Sequence, residues 1–204
     1  MNRGSFADES HTVVDVTCWW EKRDEVIRWS RLFDEKQSPA DLQTENDVGS
    51  RLRKTRELSK TDLMRMVSWK FESLSGRKGL ILRRVSSVGE QEISETFHRA
   101  LDADSEKTRI SELLKLPGIG PAMASVILTF YDPKRYAVLD IHVWRELFGK
   151  EPQSLFQGSK CLLKFLQKVR LIAAMHGLDA RTVEKALFQR NCDQASILRN
   201  GGKP

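Results

Sequence analysis

Apolar residues recur along this chain at spacings of three and four, and the elements they predict are helices. Val26, Trp29 and Phe33 mark one face of a first helix over Glu21–Phe33, with Ser38-Pro39 as its stop. Residues 34–58 are polar, and only a turn or short helix over about Asp47–Leu58 is predicted there. A helix over Thr61–Phe71 follows and breaks at Ser75-Gly76, and two more are expected over Lys78–Val85 and Glu90–Leu101. Ile110, Leu113 and Leu114 mark the inner side of a short helix; Met123, Val126, Ile127 and Phe130 mark another. Leu162, Phe165, Leu166, Val169, Ile172, Ala173 and His176 form a stripe that Gly177 ends, since glycine takes the left-handed angles of a helix C-terminus. Asp179 is placed to cap a last helix through Gln189. No run alternates apolar and polar residues between hairpin turns, so the expected class is all-α. Residues 1–15 read as a loose tail, 16–190 as one helical module and 191–204 as a C-terminal tail.

Composition narrows the picture. With 204 residues, 40% of them apolar, the chain can bury a real core. Its longest uncharged run, Leu116–Tyr131, is 16 residues with two glycines and two prolines, too short and too broken for a bilayer span. No secretory leader is evident at the N-terminus, so an intracellular location is expected. Cys18, Cys161 and Cys192 lie far apart and form no metal-binding pair. Charge is uneven: residues 1–50 carry 6 basic and 11 acidic groups, residues 51–204 carry 28 and 17. Arg51–Arg84 is the densest basic stretch, which suits a polyanion or, more plainly, a solvated helical face.

The most informative segment is Leu116-Pro117-Gly118-Ile119-Gly120-Pro121, a turn between two short apolar helices. Gly118 and Gly120 carry no β-carbon, so main-chain N–H groups there can approach a phosphate. Pro121 fits the first position of the next helix, whose unpaired amides and positive dipole end point the same way. Such a site grips a sugar-phosphate chain and ignores base identity. The plain alternative is a tight helix–helix connection. Further on, Asp140 stands directly before an apolar helix beginning Ile141-His142-Val143-Trp144-Arg145; on its own it reads as an N-cap.

Taken together, residues 105–148 resemble the signature of the helix-hairpin-helix (HhH-GPD) base-excision DNA glycosylases, the endonuclease III-like superfamily. An L-P-G-I-G hairpin over about 105–131 is followed by a loop at 132–140 and an aspartate in a V-L-D-I-H-V-W-R context, with 18 residues from Ala122 to Asp140. The resemblance implies a bilobal all-α fold and a monofunctional glycosylase. Asp140 would be the catalytic carboxylate, and Leu116, Pro117, Gly118, Ile119, Gly120, Pro121, Lys70 and Arg145 would contact DNA. Bifunctional members carry a lysine where Ala122 stands, so Schiff-base strand cleavage of the family type is not expected. Lys70 and Lys115 read as phosphate contacts or solvent-exposed groups. Trp69 could stack on or replace an extruded base, with core packing as the plain alternative, and His142 would hold the hairpin or the aspartate loop by hydrogen bonds. No cofactor is required, too few cysteines follow Asp140 for an iron–sulfur cluster, and a monovalent cation at the hairpin is compatible with the pattern. The expected partner is double-stranded DNA with a damaged or mismatched base, bound by a monomer with no membrane involved. The rival reading is a catalytically inactive protein of the same fold that recognises lesions or bent DNA; a third is a docking module within a larger repair complex.

Overall fold

The computed structural model describes residues 18–72, 75–150 and 156–199. The tail expected over 1–15 lies outside them, as do residues 200–204. Among the described residues are ten α-helices, a single 3-10 turn at Trp19–Glu21 and no strand. The chain is all-α. None of these helices is long and apolar enough to cross a membrane.

The helices are α1 (Arg23–Lys36), α2 (Pro39–Thr55), α3 (Lys60–Lys70), α4 (Ser75–Ser86), α5 (Glu90–Leu101), α6 (Glu106–Leu113), α7 (Pro121–Tyr131), α8 (Ile141–Phe148), α9 (Gly158–His176) and α10 (Ala180–Arg199). Three differ from the sequence expectation. Ser38-Pro39 begins a helix as well as ending one: the Ser38 hydroxyl accepts the Asp41 N–H over 3.1 Å and Pro39 takes the first helical position, so α2 is a full 17 residues. Only Val48, Gly49 and Leu52 of α2 are buried, which is why its polar sequence showed so little periodicity. Gly76 lies within the first turn of α4 and not at a break, the interruption falling after Lys70. The last helix runs on through residues expected as tail, to Arg199, with Asp193 paired to Lys36 of α1 over 2.8 Å and Arg190 paired to Glu146 of α8.

Helix α7 is the centre of the fold. Its residues from Met123 to Phe130 are all buried, as a helix apolar on every side must be. Helices α2, α3, α6 and α9 pack around it, α5 lies on α6, and α1 runs along α10, which also meets α8 and α9. Gly49 of α2 approaches α7 so closely that a β-carbon would stand 3.0 Å from the Phe130 carbonyl oxygen, which Arg53 caps from the same helix at 2.8 Å. One hydrophobic core links these groups, with Tyr136, Phe97 and Phe165 fully enclosed. Gly177 closes α9 at φ 62° and ψ 38°, the left-handed cap its sequence position predicts. The first free amides of α10 are met by the loop after α7: Ala180 and Arg181 donate to the carbonyls of Lys134 and Pro133 over 3.1 and 3.0 Å.

Candidate functional site

The turn between α6 and α7 is held from below by its apolar side chains. Leu116 and Ile119 are 3% and 5% exposed and Pro121 is buried, so these three anchor the hairpin rather than offering side chains to a ligand. Pro117 and Gly120 are exposed. The two glycines differ. Gly118 has φ 88°, and a β-carbon there would meet the Arg84 β-carbon at 3.1 Å and the Ile81 carbonyl oxygen at 3.4 Å. Its missing side chain therefore serves close packing against α4 as well as the left-handed turn. Gly120 has extended angles and nothing within 4 Å of its would-be β-carbon; this is the glycine that leaves open space. The amides of Gly118, Gly120, Ala122 and Met123 have no protein acceptor among the described residues. Four unsatisfied donors at a turn and a helix N-terminus form an anion-binding surface.

A cleft of about 750 Å³ opens in front of this turn. Its lining joins the hairpin to α4 and to Asp140, and its charged residues are Lys70, Arg77, Arg84, Lys115 and the single acid Asp140. The basic stretch Arg51–Arg84 thus divides by role. Arg51 pairs with Asp62, Arg56 with Asp102 and Arg65 with Asp47. Arg77 and Arg84 have no carboxylate partner among the described residues and face the cleft.

Asp140 is the N-cap of α8: its Oδ1 accepts the His142 N–H over 2.9 Å. Its Oδ2 accepts from Lys70 Nζ over 2.6 Å, with the two side chains 19% and 10% exposed. Of the two sequence readings of Lys70, solvent exposure is overturned: its ammonium is the partner of the aspartate and it lines the hairpin cleft. Burial pushes the Asp140 carboxyl up; the charge and hydrogen bond of Lys70, with the His142 N–H, outweigh it and hold the group below the ordinary aspartate value. The carboxylate is ionised at neutral pH.

Ser125 of α7, which the sequence reading passed over, fixes this acid relative to the hairpin. Its hydroxyl donates to the Ala122 carbonyl over 2.6 Å and accepts the Leu139 N–H over 2.8 Å. One buried hydroxyl therefore ties the first turn after the hairpin to the residue before Asp140. A serine inside an otherwise apolar helix was the available signal.

Lys70, Asp140 and Ile141 also border a second cleft, of about 650 Å³. Phe33, Trp69 and Phe188 supply aromatic walls, and His142, Arg181, Glu184 and Gln189 supply polar groups. Trp69 belongs to this side and does not line the hairpin cleft; its ring meets Phe130 edge-on at 5.1 Å with the Arg181 guanidinium 5.4 Å from its centre. His142 bonds Asn191 of α10 through Nδ1 at 2.9 Å, so its ring braces α8 against α10 and not the hairpin. Arg145 is half-buried on α8 and lines neither cleft. The cysteines form no disulfide with one another, and no three His, Cys, Asp or Glu side chains among the described residues are grouped to hold a metal.

The comparisons agree with the hairpin geometry. The family model described as helix-hairpin-helix motif matches residues 106–130, which span α6, the turn and nearly all of α7. No curated protein and no solved structure matches the chain. The motif supports DNA binding and a DNA-associated protein.

Proposed function

We propose that the protein is a monofunctional DNA glycosylase that hydrolyses the N-glycosidic bond of a damaged or mismatched nucleotide rotated out of the duplex. One observation carries this reading: Asp140 lines both the hairpin cleft and the aromatic-walled cleft. The hairpin and α7 amides hold the sugar-phosphate chain, the base enters the second cleft, and the sugar lies at Asp140. As the C–N bond breaks, the base leaves with the electron pair and positive charge develops on the sugar. The carboxylate stabilises that charge and orients or deprotonates the water that adds to the sugar. Free base and an abasic sugar result. Lys70 keeps the acid ionised and fixed in place, and Ala122 offers no amine to attack the sugar.

A second reading has its own support. Both oxygens of Asp140 are already engaged, one by the His142 N–H and one by Lys70, as they would be in a purely structural cap. On that reading the protein binds altered or bent DNA without chemistry.

A panel of duplexes carrying uracil, thymine mismatches, alkylated purines, hypoxanthine or 8-oxoguanine, developed with hot alkali, separates the two. Alkali-labile sites in at least one duplex support the glycosylase. Salt-sensitive binding to abasic duplex with no base release from any member supports the binder. Borohydride is expected to trap no covalent complex on an abasic strand, and a trap mapped to Lys70 would replace the hydrolytic mechanism with an amine-based one.

A further inference from the structure

Arg181, Glu184, Phe188 and Gln189 share one face of α10, and all four line the aromatic-walled cleft. Glu184 is the buried acid of that face, 2% exposed, and hydrolysis at Asp140 assigns it no part. The Arg181 guanidinium bonds its Oε2, and Oε1 has no hydrogen-bond partner among the described residues. A carboxylate with a bare oxygen is costly at such depth, whereas the protonated acid has an O–H to give. Charge counting agrees. Lys70 and Arg181 face Asp140, Glu45 and Glu184, and none of these five side chains is more than 19% exposed. Two cations against three acids are balanced when one acid keeps its proton. Both oxygens of Asp140 and both of Glu45 accept hydrogen bonds, so Glu184 is the one that keeps it. Burial likewise holds its carboxyl above the ordinary value. Neighbouring charges do not cancel the excess: Lys185 pairs with Asp34 and Lys36 with Asp193, each over 2.8 Å. Asp41 is bonded by the Ser38 hydroxyl, and His142 of α8 by Asn191.

We propose that the Glu184 carboxyl donates its O–H to the extruded base, and that the bases accepted are those with a ring carbonyl where cytosine and adenine carry an amine. A carbonyl oxygen accepts that hydrogen bond. An exocyclic amine in its place sets donor against donor and leaves both unpaired in a site closed to water, which is the strongest form of rejection a polar pocket has. Lys70 and Arg181 add further donors to the same cleft. Water displacing ammonia at the ring carbon turns the amine into the carbonyl, so hydrolytic deamination is the class of reaction that supplies these substrates. Glu184 breaks no bond here; it determines specificity. The inference rests on the glycosylase reading and on entry of the base into the second cleft.

The test uses the full chain in single turnover on duplexes that differ by one base opposite a fixed partner: uracil against cytosine, and hypoxanthine against adenine. Wild type is expected to release at least one carbonyl base, about tenfold or more faster than its amino counterpart, and to slow as alkaline pH removes the Glu184 proton. Glu184→Gln keeps an N–H in the same place without a titrating proton. It should release that base at close to the wild-type rate at neutral pH and lose this alkaline decline. Glu184→Met offers no donor and should be slower by about tenfold or more, with duplex affinity unchanged. Identical pH profiles for wild type and Glu184→Gln, no advantage of Glu184→Gln over Glu184→Met, or release confined to alkylated purines or 8-oxoguanine overturns the assignment and leaves the glycosylase standing. Release of no base by wild type overturns the glycosylase reading, and this inference with it.

Discussion

Lys70 Nζ donates to Asp140 Oδ2 over 2.6 Å, joining the last residue of α3 to the N-cap of α8 across 70 positions of sequence. Two charges this well covered act on each other more than on solvent, and removing either strands the other.

Lys70→Met tests that coupling through pH. Asp140 is held below its ordinary value, so its stabilising contribution is present above about pH 3.9 and is lost as pH falls through the folded value. Without Lys70, burial is opposed by His142 and no longer by the ammonium charge, and the acid limb of base release should move to higher pH. Urea melts should show a loss of roughly 2–3 kcal/mol, somewhat less than for a fully buried pair. An unmoved acid limb would show that Lys70 does not govern the carboxylate.

The two hairpin glycines should separate under alanine substitution. Gly118→Ala forces a β-carbon into left-handed angles and against α4, and is expected to lower stability by about 2 kcal/mol or more. Gly120→Ala has room and ordinary angles, so its thermal midpoint should stay near wild type while affinity for any duplex falls. Equal duplex affinity for Gly120→Ala and wild type would mean that no backbone phosphate contact is made there.

Ser125→Ala removes the acceptor of a buried N–H, that of Leu139, and should cost about 1–3 kcal/mol. Because the same hydroxyl spaces Asp140 from the hairpin, base release should fall further than duplex affinity does. Parallel loss of both would reduce Ser125 to a packing role.

Beneath the second cleft, Arg181 binds Glu45 with two hydrogen bonds of 2.9 and 2.8 Å and also pairs with Glu184. Burial raises both acids. Arg181 reverses this for Glu45, which is held at about 2, whereas Glu184 remains above its ordinary value. Glu45 is thus ionised at neutral pH: its contribution is present above about pH 4.3 and is lost as pH falls through the folded value. Glu184 has the opposite sign, its contribution present at low pH and lost as pH rises through its folded value. Denaturant melts at neutral pH should find Glu45→Gln costly by roughly 3 kcal/mol and Glu184→Gln near neutral or stabilising. The reverse ranking would contradict this division of charge.

What could be read from the chain follows the range of the interactions. Helix α7, the glycine turn, the Gly177 cap and Asp140 as N-cap are local matters, written in neighbouring residues. Helix α2 was underestimated because its inner face is only three residues wide, and the end of α10 because Asp193 and Arg190 are held by partners on distant helices. Lys70 carries no local sign of its role: a lysine at the end of a basic helix reads as solvated until the fold brings α8 against it.

Base release by Asp140→Asn is the measurement closest to the central claim. Asparagine keeps the shape and the N-cap acceptor of aspartate, so the fold and duplex affinity should be kept, at a stability cost of roughly 2–3 kcal/mol because Lys70 loses its counter-charge. Only the negative charge is removed. On the duplex that wild type processes, release is expected to fall by about a hundredfold or more. Release at the wild-type rate by a folded, DNA-binding Asp140→Asn would contradict the account.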